Sequence, residues 1–311
     1  VETSENSIQE SIAQIYIQIL YAAESVKVNE NTLQVSIAQR DRGQELLNAG
    51  SIAKSDLAQL EAQVSTDRYQ LVTAQATLQD YKLQLKQLLE LDGENEMNVY
   101  LPALSDENVL LPLPTKKDVY MSALTLRPEI EASKLSVEAS ELGIDIAKAG
   151  YLPTISLSAG IGTNHTSGSD FTFGEQVKNG WNNSIGVSVS VPIFNNRQTK
   201  SAVQKAKLQR ETSLLSLLDE QKTLYKTIEG LWLDANSAQQ RYAAANEKLK
   251  STQISYDLIS EQFNLGMKNT VELLTEKNNL LQAQQEQLQA KYMAILNTQL
   301  LKFYQGDKLA L

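Results

Sequence analysis

Residues 44–60 read QELLNAGSIAKSDLAQL, and residues 260–276, 216 positions further on, read SEQFNLGMKNTVELLTE. Glu45, Leu47, Asn48 and Gly50 recur as Glu261, Phe263, Asn264 and Gly266, and Asp56-Leu57 recurs as Glu272-Leu273. Self-similarity at a fixed period sets an architecture rather than a detail. In each copy the glycine, with an asparagine two places before it, stands between two long stretches of helical character. A glycine there suits the left-handed residue that ends a helix, and Ser51 or Ser55 suits the start of the helix after the first turn. The chain is therefore expected to contain two copies of one helix-turn-helix hairpin.

Outward from the first turn, residues 4–47 contain no proline and one glycine, Gly43, with Ile8, Ile12, Ile15, Ile19 and Ala22 at helical spacing. On the other side, Leu57, Val64, Leu71, Leu78 and Leu85 stand seven apart, with Leu60, Asp67, Ala74, Tyr81 and Leu88 at the companion positions. That is the a/d seam of a coiled coil, with one acid in it. The helix is expected to end near Asp92-Gly93, giving a first unit over 1–92, and Pro102, Pro112 and Pro114 mark 93–114 as a linker. The second unit, 115–311, begins with helix over 115–149, broken at Arg127-Pro128. Helix returns from about Thr199, weakly interrupted at Gly230, reaches a second tip turn at 264–267 and continues to about 305. Helices of roughly 40 to 60 residues are about 60–90 Å long, which no compact globule needs. Applying the same offset to the second unit's start puts the first unit's start about 100 residues before Val1, so a counterpart helix and strand pair is expected upstream.

Residues 153–193 differ in kind. Ile155, Leu157, Ala159 and Ile161 alternate with Ser156, Ser158, Gly160 and Gly162; Ile185, Val187, Val189, Val191 and Ile193 alternate with Ser184, Gly186, Ser188 and Ser190. Period two over about ten residues predicts strands, joined by a Gly, Ser, Asn and Thr-rich loop over 165–181. One reading is a small sheet with one face buried on the helices. The other is a segment of membrane β-barrel, with apolar side chains to lipid, small polar ones to the lumen, and Tyr151, Trp181 and Phe194 near the ends. Trp181 shares parity with Ile185 and Val187. An isolated hairpin is marginal in water, and two strands cannot close a barrel, so the second reading requires other strands.

Composition narrows the function. A formal net charge of −9 with scattered Lys and Arg argues against a nucleic-acid partner. There is no cysteine, so disulfides and thiolate chemistry are absent. No run of about 18 apolar residues exists, which excludes a helical membrane span, and the first residues lack the basic and hydrophobic regions of a signal peptide. The one histidine, His165, lies in the polar loop with no second imidazole and no Gly-x-Ser-x-Gly turn near it. Gly160-Ile161-Gly162 falls inside a strand, so it is no phosphate loop. Neither a catalytic site nor a cofactor or metal site is expected.

Arg127-Pro128-Glu129-Ile130, Gly150 to Leu157 (GYLPTISL), Val191-Pro192-Ile193-Phe194 and the two Asn-x-Gly tips together resemble the TolC-like outer-membrane efflux proteins, across essentially the whole chain. The resemblance implies a mainly α fold of long antiparallel helical hairpins with a β-hairpin contributing to a transmembrane β-barrel. It implies a homotrimer, each protomer giving four strands to a twelve-stranded barrel and helices to a periplasmic α-barrel. A periplasmic adaptor and an inner-membrane transporter would be its partners, and efflux or type I secretion its role. By resemblance the tips form the periplasmic entrance: Lys268 is the basic residue that helps keep it closed, Asp56 its acidic partner, and Glu272 the member of an acidic ring. The chain departs from the family at Thr275, where a second acid is expected, and at Phe263, where a tyrosine is expected. Asn48, Gly50, Ile52, Asn264, Leu265, Gly266 and Met267, with Leu47, would form the turns where the adaptor docks. Ile155, Leu157, Ile161, Trp181, Ile185, Val187, Val189 and Val191 would face lipid. The alternative is a periplasmic coiled-coil adaptor or tether, which normally carries a single hairpin with flanking lipoyl-like and β-barrel domains.

Overall fold

A computed structural model describes residues 1–91, 99–102 and 109–309. The expected helix end at Asp92-Gly93 and much of the 93–114 linker lie outside the described residues. The elements are α1 (Glu2–Asn48), α2 (Lys54–Leu88), α3 (Lys116–Leu126), α4 (Pro128–Ala149), β1 (Thr154–Gly162), α5 (Phe173–Asn179), β2 (Asn182–Ser190), α6 (Gln198–Asn264) and α7 (Thr270–Gln305). The chain divides into two compact units, one made of Val1–Pro128 with Gln221–Leu311, the other of Glu129–Glu220.

In the first unit α1, 47 residues long and so about 70 Å from end to end, lies along α2 and α7, and α3 lies along α7. The heptad positions of α2 are the covered ones: Leu57, Leu60, Val64, Asp67 and Leu85 are buried, and Leu71, Ala74, Leu78, Tyr81 and Leu88 half-buried. Gly43 has a packing reason, because a Cβ there would collide with the Leu60 side chain. Away from the turns, Ile17 and Leu20 of α1 pack with Leu288, Tyr292, Leu296 and Leu300 of α7. Arg127, read from sequence as a helix break and as part of the family motif, is also an anchor. Pro128 has no N–H and restricts the residue before it, and the Arg127 guanidinium turns inward to Glu10 at 3.1 Å. It also lies 3.6 Å from the Tyr304 ring centroid, a cation–π contact.

In the second unit β1 and β2 pair antiparallel, with Ile155 opposite Val189, Leu157 opposite Val187 and Ala159 opposite Ile185, while Ser156 faces Ser188 and Ser158 faces Gly186. Like therefore sits beside like on each face, except that Asn183 stands opposite Ile161. Strand β2 begins at Asn182, before Ser184, and stops at Ser190, short of the expected Ile193. Neither face is covered by the helices: Ile155, Leu157, Ile161, Ile185, Val187 and Val189 are 61–83 % exposed. The expected loop over 165–181 is corrected by α5, at whose start the Thr172 backbone N–H and hydroxyl both donate to Glu175 Oε2, at 2.9 and 2.8 Å. The Thr-x-x-Glu signature of that start is present in the sequence. Helix α6 passes through Gly230 without a break. Small polar contacts join α4 to α6 in this unit, among them the Ser140 and Ser213 hydroxyls at 2.8 Å and Arg210 with Glu141 at 2.8 Å. Among the described residues no helix is long and apolar enough to cross a membrane.

Candidate functional site

The two repeated turns lie in the first unit and have the same backbone hydrogen bonds. At the first, Ser51 N–H donates to Leu46 C=O at 2.8 Å and Gly50 N–H to Leu47 C=O at 2.9 Å; at the second, Met267 N–H donates to Gln262 C=O and Gly266 N–H to Phe263 C=O, both at 2.9 Å. These are paired Schellman motifs, which satisfy carbonyls that a helix end leaves open. Gly50 at φ +75° and Gly266 at φ +73° take the left-handed conformation that the motif requires. The offset of 216 holds into the following helices, since α2 starts at Lys54 and α7 at Thr270.

The helix starts differ where the sequence differs. Ala53, not Ser51 or Ser55, precedes α2, and a methyl group accepts no hydrogen bond; only the return bond exists, from Ala53 N–H to Asp56 Oδ2 at 3.0 Å. At α7, Asn269 Oδ1 accepts from Glu272 N–H at 2.9 Å while Glu272 Oε2 accepts from Asn269 N–H at 3.2 Å. The second tip therefore has a complete capping box and the first has half of one. Asn269→Ala is expected to cost about 1 kcal/mol, and Ala53→Asn to stabilise by a similar amount; the midpoints of denaturant unfolding measure both.

Glu272 also accepts from Lys268, Nζ to Oε1 at 2.5 Å, four residues before it in the same tip. The Lys268 hydrogen bond first, and the Asn269 backbone N–H second, hold the Glu272 carboxyl below the usual carboxylate range. The pair is consequently intact above that range and is lost as pH falls through the lowered value. Within the chain Lys268 thus bonds Glu272, whereas the expected partner Asp56 bonds the Ala53 backbone. All three still meet: Asp56, Lys268 and Glu272 line one cleft of about 350 Å³ with Leu46, Ile52, Phe263, Met267 and Asn269.

Phe263, counted from the resemblance among the entrance residues, is buried at 3 % exposure and packs with Leu60 and Leu273 at the base of the cleft. It packs the two tips against each other. Leu265 and Met267 are exposed, as are Asn48, Gly50, Asn264 and Gly266, while Leu47 and Ile52 are half-buried. Trp181 is exposed immediately before β2, and Val191 immediately after it. His165 is exposed and stacks edge-on to Phe173, with ring centroids 5.2 Å apart. Among the described residues no three His, Cys, Asp or Glu side chains cluster as metal ligands.

A side-chain cluster that sequence reading did not assemble lies further along the same helices. Lys277 of α7 donates to Asp67 of α2 and to Ser36 of α1, with the Lys277 and Asp67 side chains 4 % and 1 % exposed. Two signals were available. Asp67 occupies an otherwise apolar heptad seam, and Lys277 stands four residues after Leu273 and three before Leu280 in the buried stripe of α7. A buried acid needs a partner.

Long helical hairpins with matched tips, together with a strand pair bare on both faces, define a class of long-helix protein that also carries strands. The chain belongs to the outer membrane efflux protein family, whose model matches residues 119–306, a span that includes the strand pair and the second tip. It is similar to the outer membrane efflux protein BepC of Brucella suis, 25 % identical over 294 residues that cover 94 % of this chain and 61 % of BepC. It is equally similar to the outer membrane protein TolC of Escherichia coli, 25 % identical over 311 residues covering 95 % of this chain and 60 % of TolC. A crystal structure of CusC shares the fold, with a TM-score of 0.82 at 19 % identity over 98 % of this chain and 70 % of CusC. The chain thus spans about three fifths of the length of these curated relatives. Family membership places it at the outer membrane.

Proposed function

We propose that the protein is the protomer of a trimeric outer-membrane channel that conducts substrates from a periplasmic adaptor and inner-membrane transporter to the exterior, in efflux or in type I secretion. The observation that carries this reading is the strand pair: one face apolar from Ile155 to Ile161 and from Ile185 to Val189, with Asn183 at its end, the other mainly Ser and Gly, and both bare in the single chain. An apolar face of that kind needs lipid, and strands in lipid must close into a barrel because an open edge leaves backbone groups unpaired. Other copies supply the closing strands. The protein acts as a passive conduit, without cofactor and without catalysing a reaction.

The tips form the entrance in this reading. Leu265 and Met267, exposed beside the second turn, are the surface for the adaptor, and the cleft bearing Asp56, Lys268 and Glu272 is the gate. Exposed ion pairs are worth about 0–1 kcal/mol each, so a gate of three symmetric copies holds yet yields to a docking partner. Reconstituted in planar bilayers, the protein should show discrete single-channel currents, and its mass in detergent should be that of three chains. Lys268→Glu and Asp56→Lys should each raise the conductance. Unchanged conductance in both variants removes the gate assignment while leaving the channel standing; a monomer without currents removes the channel itself.

A further inference from the structure

Most of the buried face of α1 from Ala13 to Ala23 is apolar, whereas from Asn29 onward it turns polar or small, with Asn29, Thr32, Ser36 and Gly43 all buried. The change occurs where α1 meets the charged pair. Ser36 Oγ and Lys277 Nζ both bond Asp67 Oδ2, and Lys277 bonds Ser36 as well. Gln63 of α2 holds the other carboxylate oxygen, Nε2 to Oδ1 at 2.9 Å, and reaches Asn278 Oδ1 of α7 at 3.4 Å. Three helices therefore share one carboxylate, and among the described residues no other ion pair is so deeply buried on both sides.

The flanking seam is interchangeable by comparison. Leu57, Leu60 and Val64 before Asp67, and Leu71 and Ala74 after it, repeat small and large aliphatic groups at heptad spacing. A helix sliding past such a seam by one turn, 5.4 Å, meets another set of aliphatic groups. Hydrophobic contact is non-directional, so it distinguishes these registers poorly. A buried acid answered by one lysine and one serine has a single arrangement that leaves no charge unpaired. A lone polar residue in a coiled-coil seam is known to set register in this way, at a cost in stability.

We propose that Ser36, Asp67 and Lys277 form a register lock, which fixes α7 against α1 and α2 and so sets the second tip opposite the first. The lock contributes uniqueness of alignment rather than stability. It stands on the packing of the first unit and does not depend on the channel reading.

The chain has no cysteine, so Gln79→Cys on α2 and Asn279→Cys on α7, both exposed positions, can carry the only spin labels. Electron–electron distance measurements, with labelled chains diluted in unlabelled ones, read the alignment directly. The labelled parent should give one narrow distance. Adding Ser36→Ala, Asp67→Leu and Lys277→Met should leave thermal stability unchanged or raised, yet broaden the distribution or add a second maximum about 5 Å away, one helical turn. Leu273→Ala is the control: it should lower the melting temperature and keep the single distance. A triple variant that retains one narrow native distance overturns the proposal, and so does a triple variant that fails to fold, since the cluster would then be a source of stability. Currents in bilayers play no part in the readout, so the failure of the channel reading is seen separately.

Discussion

Lys277→Met is expected to destabilise the first unit by about 3–5 kcal/mol, because it leaves Asp67 ionised, buried and without its cation. The side chains are close in size, so lost packing contributes little. Ser36 and Gln63 still donate to Asp67, but neither neutralises it. Replacing all three groups, Ser36→Ala with Asp67→Leu and Lys277→Met, is expected to restore stability to the parent's or to exceed it by about 1–4 kcal/mol. Burial pushes the Lys277 ammonium below the usual lysine range, and the hydrogen bond and charge of Asp67 recover only part of this. A lysine with a lowered pKa binds its proton less readily folded than unfolded, so the charged form costs stability throughout neutral pH, and that cost fades only as pH rises toward the ordinary lysine value. Thermal unfolding followed by circular dichroism compares the three chains. A single variant no less stable than the parent would show that Asp67 does not remain buried and charged.

How far the sequence can be read depends on whether a signal is local. The α2 seam is legible because burial on a long helix follows a period, and all ten heptad positions are buried or half-buried. The Schellman turns are legible because Gly50 and Gly266 occupy a conformation that other residues resist. The short helix α5 escapes a periodic reading because seven residues are too few for a period, although Thr172 and Glu175 spell its cap. The partner that Lys268 takes within the chain is hidden for a different reason. Asp56 and Glu272 are equivalent in the repeat, yet Glu272 stands only four residues after Lys268 in the same tip, whereas Asp56 belongs to the other tip and is engaged by its own helix start. The burial of Phe263 is not legible either, because proximity to a turn says nothing of which way a side chain points. The contact between Lys277 and Asp67 spans 210 residues; pattern shows that each is out of place, and only the fold brings them together.

The strand pair offers the sharpest test of where the protein works, because adjacent residues give opposite results. Val187 lies on the apolar face opposite Leu157, and Ser188 on the small polar face opposite Ser156. In a membrane barrel Val187→Arg puts a guanidinium into hydrocarbon near the middle of the strand and is expected to cost about 2–4 kcal/mol per chain, while Ser188→Arg puts it in an aqueous lumen at little cost. With three chains the first penalty multiplies, so Val187→Arg should sharply reduce the folded, heat-resistant oligomer recovered from membranes. Ser188→Arg should leave its amount near the parent's and alter only conductance, by adding positive charge to the lumen. In water alone both positions are already exposed, and surface changes of this kind stay within about 0.5 kcal/mol. Equal recovery of the two variants would therefore place the strand pair outside lipid, whatever the family's other members do. The alternation alone yields neither outcome, since period two says only that the two faces differ. It is the bareness of both faces in the folded chain that leaves the apolar one without a cover, which the proposed channel supplies as lipid.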